Sequence, residues 1–142
     1  MGQQLAFDFS TATPVGPPPI VSRQMRGTLG YHAGQAAEES VARDYTRRGY
    51  DILHRRWRGP AGEIDLILRD GAGLIFVEVK KSRSISRAAD RLTTAQMRRI
   101  YTSAEAFLGT QPHGSLTETR FDVALLDDRG QVQIVENAFG LM

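Results

Sequence analysis

Two acids and a lysine stand close together in otherwise apolar sequence. Asp65 lies in Gly62-Glu63-Ile64-Asp65-Leu66-Ile67-Leu68, and Glu78 and Lys80 close the run Leu74-Ile75-Phe76-Val77-Glu78-Val79-Lys80. Both runs are short and rich in β-branched residues, so both predict strands. Asp70-Gly71-Ala72-Gly73 between them predicts a hairpin turn. Side chains alternate faces along a strand, so Glu63 shares a face with Asp65, and Glu78 with Lys80. A hairpin symmetric about that turn sets Asp65 opposite Glu78 and Glu63 opposite Lys80, on strands about 4.8 Å apart. A lone carboxylate in an apolar run is expensive to bury, and two facing carboxylates repel. A divalent cation between them relieves both costs. Carboxylate oxygens suit Mg²⁺, which takes one or two protein carboxylates and keeps several waters. Such an ion activates water and offsets charge on a phosphate in transition, and Lys80 adds a positive charge beside it. The competing interpretation is a solvated sheet face of alternating charges, which the apolar neighbours of Glu78 disfavour.

The cations flank these acids. Arg43, Arg47, Arg48, Arg55, Arg56 and Arg58 precede the hairpin, and Lys81, Arg83, Arg87, Arg91, Arg98 and Arg99 follow it. Net charge is only +2, so the distribution carries the argument, not the total. Cations around an acidic centre are what cutting a phosphodiester requires: the former hold the backbone, the latter the metal. Arginines on solvated helix faces would look similar. There is no cysteine among the 142 residues, which excludes disulfides, thiolate zinc sites and cysteine nucleophiles. No apolar run reaches membrane-spanning length, and the N-terminus lacks a basic region followed by an apolar one, so a cytoplasmic location is expected.

The elements around the hairpin follow from periodicity. Residues 31–48 predict a helix, with Ala33, Ala37, Val41 and Tyr45 at four-residue spacing and Gly49 as its C-cap. Residues 51–58 predict a basic first strand. Residues 81–89 predict a loop at the mouth of the site, and 91–108 a second helix burying Leu92, Ala95, Ile100, Ala104 and Leu108. Residues 111–115 predict a loop, 120–126 a strand, 127–130 a turn and 131–135 a last strand. The order α, three β, α, two β predicts an α/β fold with a mixed sheet flanked by helices. Residues 29–142 would form the domain, and residues 1–28, with the Pro-rich run after Thr11, a tail and linker. His32, His54 and His113 show no ligand spacing. Trp57 and Tyr31 could stack on bases, although a lone Trp near a sheet is more often core. Asp122, hemmed by apolar neighbours, reads as structural and paired with Arg120 or a helix arginine.

Several motifs together resemble a known family. Glu38 eleven residues before Gly49, GEIDLI from Gly62, FVEVK from Phe76 and RFDV from Arg120 are similar to the small bacterial YraN-type proteins. Those have the PD-(D/E)XK restriction-endonuclease-like fold, with an αβββαβ core. The Glu, Asp, Glu-x-Lys order is also similar to archaeal Holliday-junction resolvases. The resemblance implies that Asp65, Glu78 and the Val79 carbonyl bind Mg²⁺, with Mn²⁺ an alternative. Glu38 would reach the metal or its waters, Glu63 is a further ligand candidate, and Lys80 would orient or polarise the attacking water. Arg55, Arg56, Arg58, Lys81, Arg83 and Arg87 would hold nucleic acid, and Gln96 is a candidate site-facing group. The family usually has Asn at Arg56, Arg at Ser82 and Lys at Gln96. Gln4, Leu5, Phe7 and Phe9 resemble the peptide that docks on bacterial sliding clamps. The implied activity is metal-dependent DNA cleavage at branched or single-stranded sites in repair or recombination, with a homodimer as a further expectation. The alternatives are a catalytically weak DNA-binding module recruited by another protein, and a nuclease acting on RNA.

Overall fold

The computed structural model describes residues 23–139, with side chains from residue 34 onward. Helix α1 runs Arg23–Arg47. It begins well before residue 31, inside the stretch assigned to the tail. No proline lies between Pro19 and the end of α1, and Arg, Gln, Met and Leu in that stretch favour helix without supplying an apolar period to signal it. Gly49 ends the helix at φ +96°, a left-handed conformation suited to glycine.

Three strands follow, β1 (Asp51–Gly59), β2 (Gly62–Asp70) and β3 (Gly73–Lys81). The predicted loop after β3 instead holds a short helix, α2 (Ile85–Asp90), capped by the Ser84 hydroxyl accepting from the Arg87 N–H. Six residues are too few to show a helical period. Helix α3 (Thr94–Leu108) starts at a capping box rather than at residue 91. A single 3-10 turn (Gly114–Leu116) leads into β4 (Thr119–Leu126) and β5 (Val132–Val135).

The strands form one sheet in the order β1-β2-β3-β4-β5. All neighbours are antiparallel except β3 and β4, which are parallel because α2 and α3 carry the chain across between them. This is the expected α/β mixed sheet. On one face, Ala37, Val41, Ala42 and Tyr45 of α1 pack on Leu66, Leu68, Ile75, Val77, Ala124 and Leu126. On the other, Ile100, Ala104 and Phe107 of α3 pack on Ile64, Ile67, Phe76, Phe121 and Val123. Asp122 is fully buried and bonded on several sides. The Tyr45 hydroxyl donates to it at 2.7 Å, Arg120 at 2.8 and 2.9 Å, and the Asn137 N–H at 2.9 Å. It pairs with Arg120, as its apolar flanks suggested.

Candidate metal and nucleic-acid site

The β2–β3 hairpin has the expected register from Asp70↔Gly73 up to Leu66↔Val77, with Gly71 turning at φ +61°. Regular pairing stops there, at the rung where Asp65 meets Glu78. The Asp65 side chain takes the place of the ladder: its Oδ2 accepts the Val79 N–H at 2.8 Å. Ile64 belongs to the α3-side core and Leu66 to the α1-side core, although residues two apart should share a face. The alternation therefore breaks at Asp65. Across the sheet, Arg55 pairs with Leu66 and Trp57 with Ile64, which places Arg56 beside Asp65. Arg56 has φ +52°, an uncommon conformation for a side-chain-bearing residue. Both strands lose regularity at one rung, and the acids sit there.

Burial pushes the Asp65 carboxyl well above its usual range, and the charges of Glu78 and Glu38 push it further. The Val79 N–H opposes that shift, and Glu78 lies within hydrogen-bonding reach. Carboxylates of α1 and β3 thus both act on Asp65 of β2. Lys80 Nζ pairs with Glu78 Oε2 at 3.0 Å, both largely buried. Arg56 Nε donates to Glu38 Oε1 at 2.8 Å. Among the described residues, no three His, Asp or Glu side chains stand ready-arranged around a metal position. The donor set nevertheless fits Mg²⁺: two adjacent carboxylates, all-oxygen donors and a nearby backbone carbonyl, around an Asp65 carboxyl that burial and then the neighbouring acids hold away from ionisation.

The expected Glu63–Lys80 pair does not form. Glu63 is exposed and meets Arg58 at 3.4 Å, because the break at Asp65 ends the pairing that would have carried it to Lys80. Gln96 is also turned away from the acids. Its Oε1 accepts the Thr93 N–H at 3.1 Å while its own N–H donates to the Thr93 hydroxyl at 3.1 Å, closing the cap of α3. Arg55 pairs with Glu39 on α1. Arg83 and Arg87 are exposed beyond β3, and Lys81 is half-buried at its end. Trp57 is half-buried and packs edge-on against Phe107, as a lone Trp near a sheet commonly does, and the exposed His54 meets the same ring. His113 is exposed. The side chains of Tyr31 and His32, and the peptide Gln4, Leu5, Phe7 and Phe9, lie outside the described residues.

Residues 37–126 match the uncharacterised protein family UPF0102. The chain belongs to that family, the YraN-type family to which the motifs pointed. It is 57% identical over 115 residues to a UPF0102 protein of Ruegeria pomeroyi, covering 81% of this chain and 94% of that one. It is 59% identical over 115 residues to a UPF0102 protein of Cereibacter sphaeroides, covering 81% and 98%. A UPF0102 protein of Roseobacter denitrificans is 51% identical over 121 residues, covering 85% and 94%. The part matching UPF0102 holds Glu38, the β1–β3 hairpins, both later helices and all of β4.

One residue of this UPF0102 segment carried no expectation from the sequence. Ser103 of α3 accepts the Ala61 N–H at 3.2 Å and donates to the Gly62 carbonyl at 2.9 Å, fastening the β1–β2 turn ahead of Asp65. Its helical spacing from Ile100 and Phe107 was the available signal. Ser82, where the family usually has Arg, is buried, and its hydroxyl has no hydrogen-bond partner among the described residues. Among the described residues, no helix is long and apolar enough to cross a membrane.

Proposed function

We propose that this protein is a Mg²⁺-dependent endonuclease of the cytoplasm that cuts DNA, built on the PD-(D/E)XK nuclease plan. The observation that carries the reading is Asp65: a carboxyl set at a break in the sheet, crowded by Glu78 and Glu38 and flanked by Lys80. Burying Asp65 beside Glu78, with Glu38 of α1 also acting on it, costs stability that a bound cation would offset. A carboxyl shifted by burial and then by like charge beside a specific cluster is a candidate functional group.

In this reading Asp65 and Glu78 hold the ion, with the Val79 carbonyl beside them. Mg²⁺, or Mn²⁺ in its place, supplies an acidified water and positive charge at the scissile phosphate. The Val79 N–H fixes the Asp65 carboxyl in place before the substrate arrives. Lys80, seated against Glu78, orients the attacking water or stabilises charge on the phosphate. Glu38 completes the acidic set from α1. Arg83 and Arg87, exposed past the end of β3, hold the DNA backbone with Lys81. The peptide of Gln4, Leu5, Phe7 and Phe9 would tether the enzyme to a sliding clamp, and a homodimer would suit a branched substrate.

The test is cleavage of linear, flapped and four-way-junction DNA with Mg²⁺ or Mn²⁺. Metal-dependent cutting by the wild type, lost by a factor of about 100 or more in Lys80→Ala and Asp65→Ala, is the expected outcome. Asp65→Ala should keep or improve DNA binding, since it removes negative charge. Equal loss of cutting and binding would overturn the metal-site assignment. One observation favours the second reading, a binding module with negligible catalysis: Arg56 and Lys80 already neutralise Glu38 and Glu78. Tight DNA binding with no cutting on any substrate would select it.

A further inference from the structure

We propose that Arg56 is a latch: it holds Glu38 away from the metal position until a DNA phosphate takes the arginine, so that DNA and metal bind cooperatively. The inference rests on the metal-site reading and adds its regulation.

The geometry on β1 carries it. Arg56 is the cross-strand neighbour of Asp65, since the residues on either side of each are paired. Its side chain reaches α1, where Nε donates to Glu38 Oε1 at 2.8 Å. The adjacent Arg55 holds Glu39 in the same way. Both pairs line one cleft of about 380 Å³ between α1 and β1, which Leu66, next to Asp65, also lines. Two cations and two acids therefore line a cleft that reaches Leu66, the chain neighbour of Asp65.

The Arg56–Glu38 pair is poised for exchange. Its side chains are 28% and 18% exposed, so water reaches it, and pairs of this kind contribute little to stability. A guanidinium binds a phosphate in the same bidentate geometry as a carboxylate. When a backbone phosphate takes Arg56, the Glu38 carboxylate is left without its cation, beside the rung of Asp65 and Glu78. A divalent cation is then the partner that satisfies it. Coupling of this kind is reciprocal: metal bound through Glu38 releases Arg56 for phosphate. The φ of +52° at Arg56 agrees with strain held at a functional position.

The test measures Mn²⁺ affinity of the full chain without DNA, by electron paramagnetic resonance of the unbound ion. Arg56→Asn is the first variant, because Asn tolerates a left-handed backbone; Arg56→Gln is the second. Both should bind Mn²⁺ about tenfold more tightly than the wild type, a typical coupling factor. Arg55→Gln makes the same charge change one residue away and should give little gain. Adding Glu38→Gln to Arg56→Asn should remove the gain, which isolates the pair from long-range charge. The same Arg56 variants should bind a DNA duplex several-fold more weakly in EDTA. Unchanged or weaker Mn²⁺ binding in both Arg56 variants, while the wild type binds and Asp65→Ala does not, would overturn the latch and leave the metal site standing. Absence of Mn²⁺ binding in every variant would overturn both.

Discussion

Asp65 concentrates the conflict at the residue scale. Its carboxyl is held above its ordinary range by burial first, then by Glu78 and Glu38. Folding therefore favours its protonated form. The stability this group contributes is fully present below about pH 4, the unfolded value, and is lost as pH rises through the raised folded value. Metal-free protein should melt at progressively lower temperature across that window. Asp65→Asn keeps an acceptor for the Val79 N–H and removes the charge. In EDTA at neutral pH it should melt a few degrees above the wild type, and its pH profile should be flatter. Added Mg²⁺ should reverse the order, because an ion that binds only the folded wild type stabilises it by mass action. Melting curves with EDTA and with Mg²⁺ decide this. A variant less stable than the wild type under both conditions would show that Asp65 is structural.

Elements set that conflict in place, and the β1–β2 turn is the most exposed to disruption. Ser103 bonds both Ala61 and Gly62, and a Cβ at Gly59 would fall 2.5 Å from the Ser103 hydroxyl and 2.7 Å from the Trp57 ring. Ser103→Ala should cost about 1–3 kcal/mol through unsatisfied backbone groups. Gly59→Ala should cost a similar ~1–3 kcal/mol through overpacking. Urea denaturation measures both, and wild-type stability in Ser103→Ala would show that the turn holds itself. The hairpin at the centre of the fold was legible because a glycine turn and two apolar runs fix one register. The break at its far end was not. An arginine at φ +52° carries no sequence mark, and Ile64 and Leu66 look like any alternating pair. Glu63 was misplaced by extending the regular ladder one step too far. Gln96 stands three residues after Thr93, the spacing of a capping box, and that local bond takes its side chain. Helix α2 was missed because Ser84 and six residues give a cap without a period.

At the scale of the whole molecule, the position of Glu38 depends on how α1 sits on the sheet. Tyr45, two turns further along α1, donates to Asp122 on β4, and Asp122 is paired in the ladder with Val77, the residue before Glu78. Burial raises the Tyr45 phenol well above its usual range, followed by the charge of Asp122, so the hydroxyl stays a donor at any working pH. Arg120 and the Asn137 N–H hold the same carboxylate, and the Arg120 guanidinium lies 5.8 Å from the centre of the Tyr50 ring. One buried acid thus joins α1, β4 and the segment after β5. The two ends of this lock should respond differently. Tyr45→Phe removes one bond to a charged group and leaves three, so it should cost about 1.5–3 kcal/mol. Asp122→Ala strands the buried tyrosine hydroxyl and the Asn137 N–H and leaves Arg120 only its weaker contacts with Glu136 and Tyr50, so it should cost more, about 3–5 kcal/mol. Val41 and Ala42 still seat α1 in Tyr45→Phe, so Mn²⁺ affinity should stay within about twofold of the wild type, because coupling between sites without shared partners is small. Urea denaturation beside Mn²⁺ titration separates the two effects. A Tyr45→Phe variant that keeps its stability and loses its metal would show that the lock belongs to the site itself.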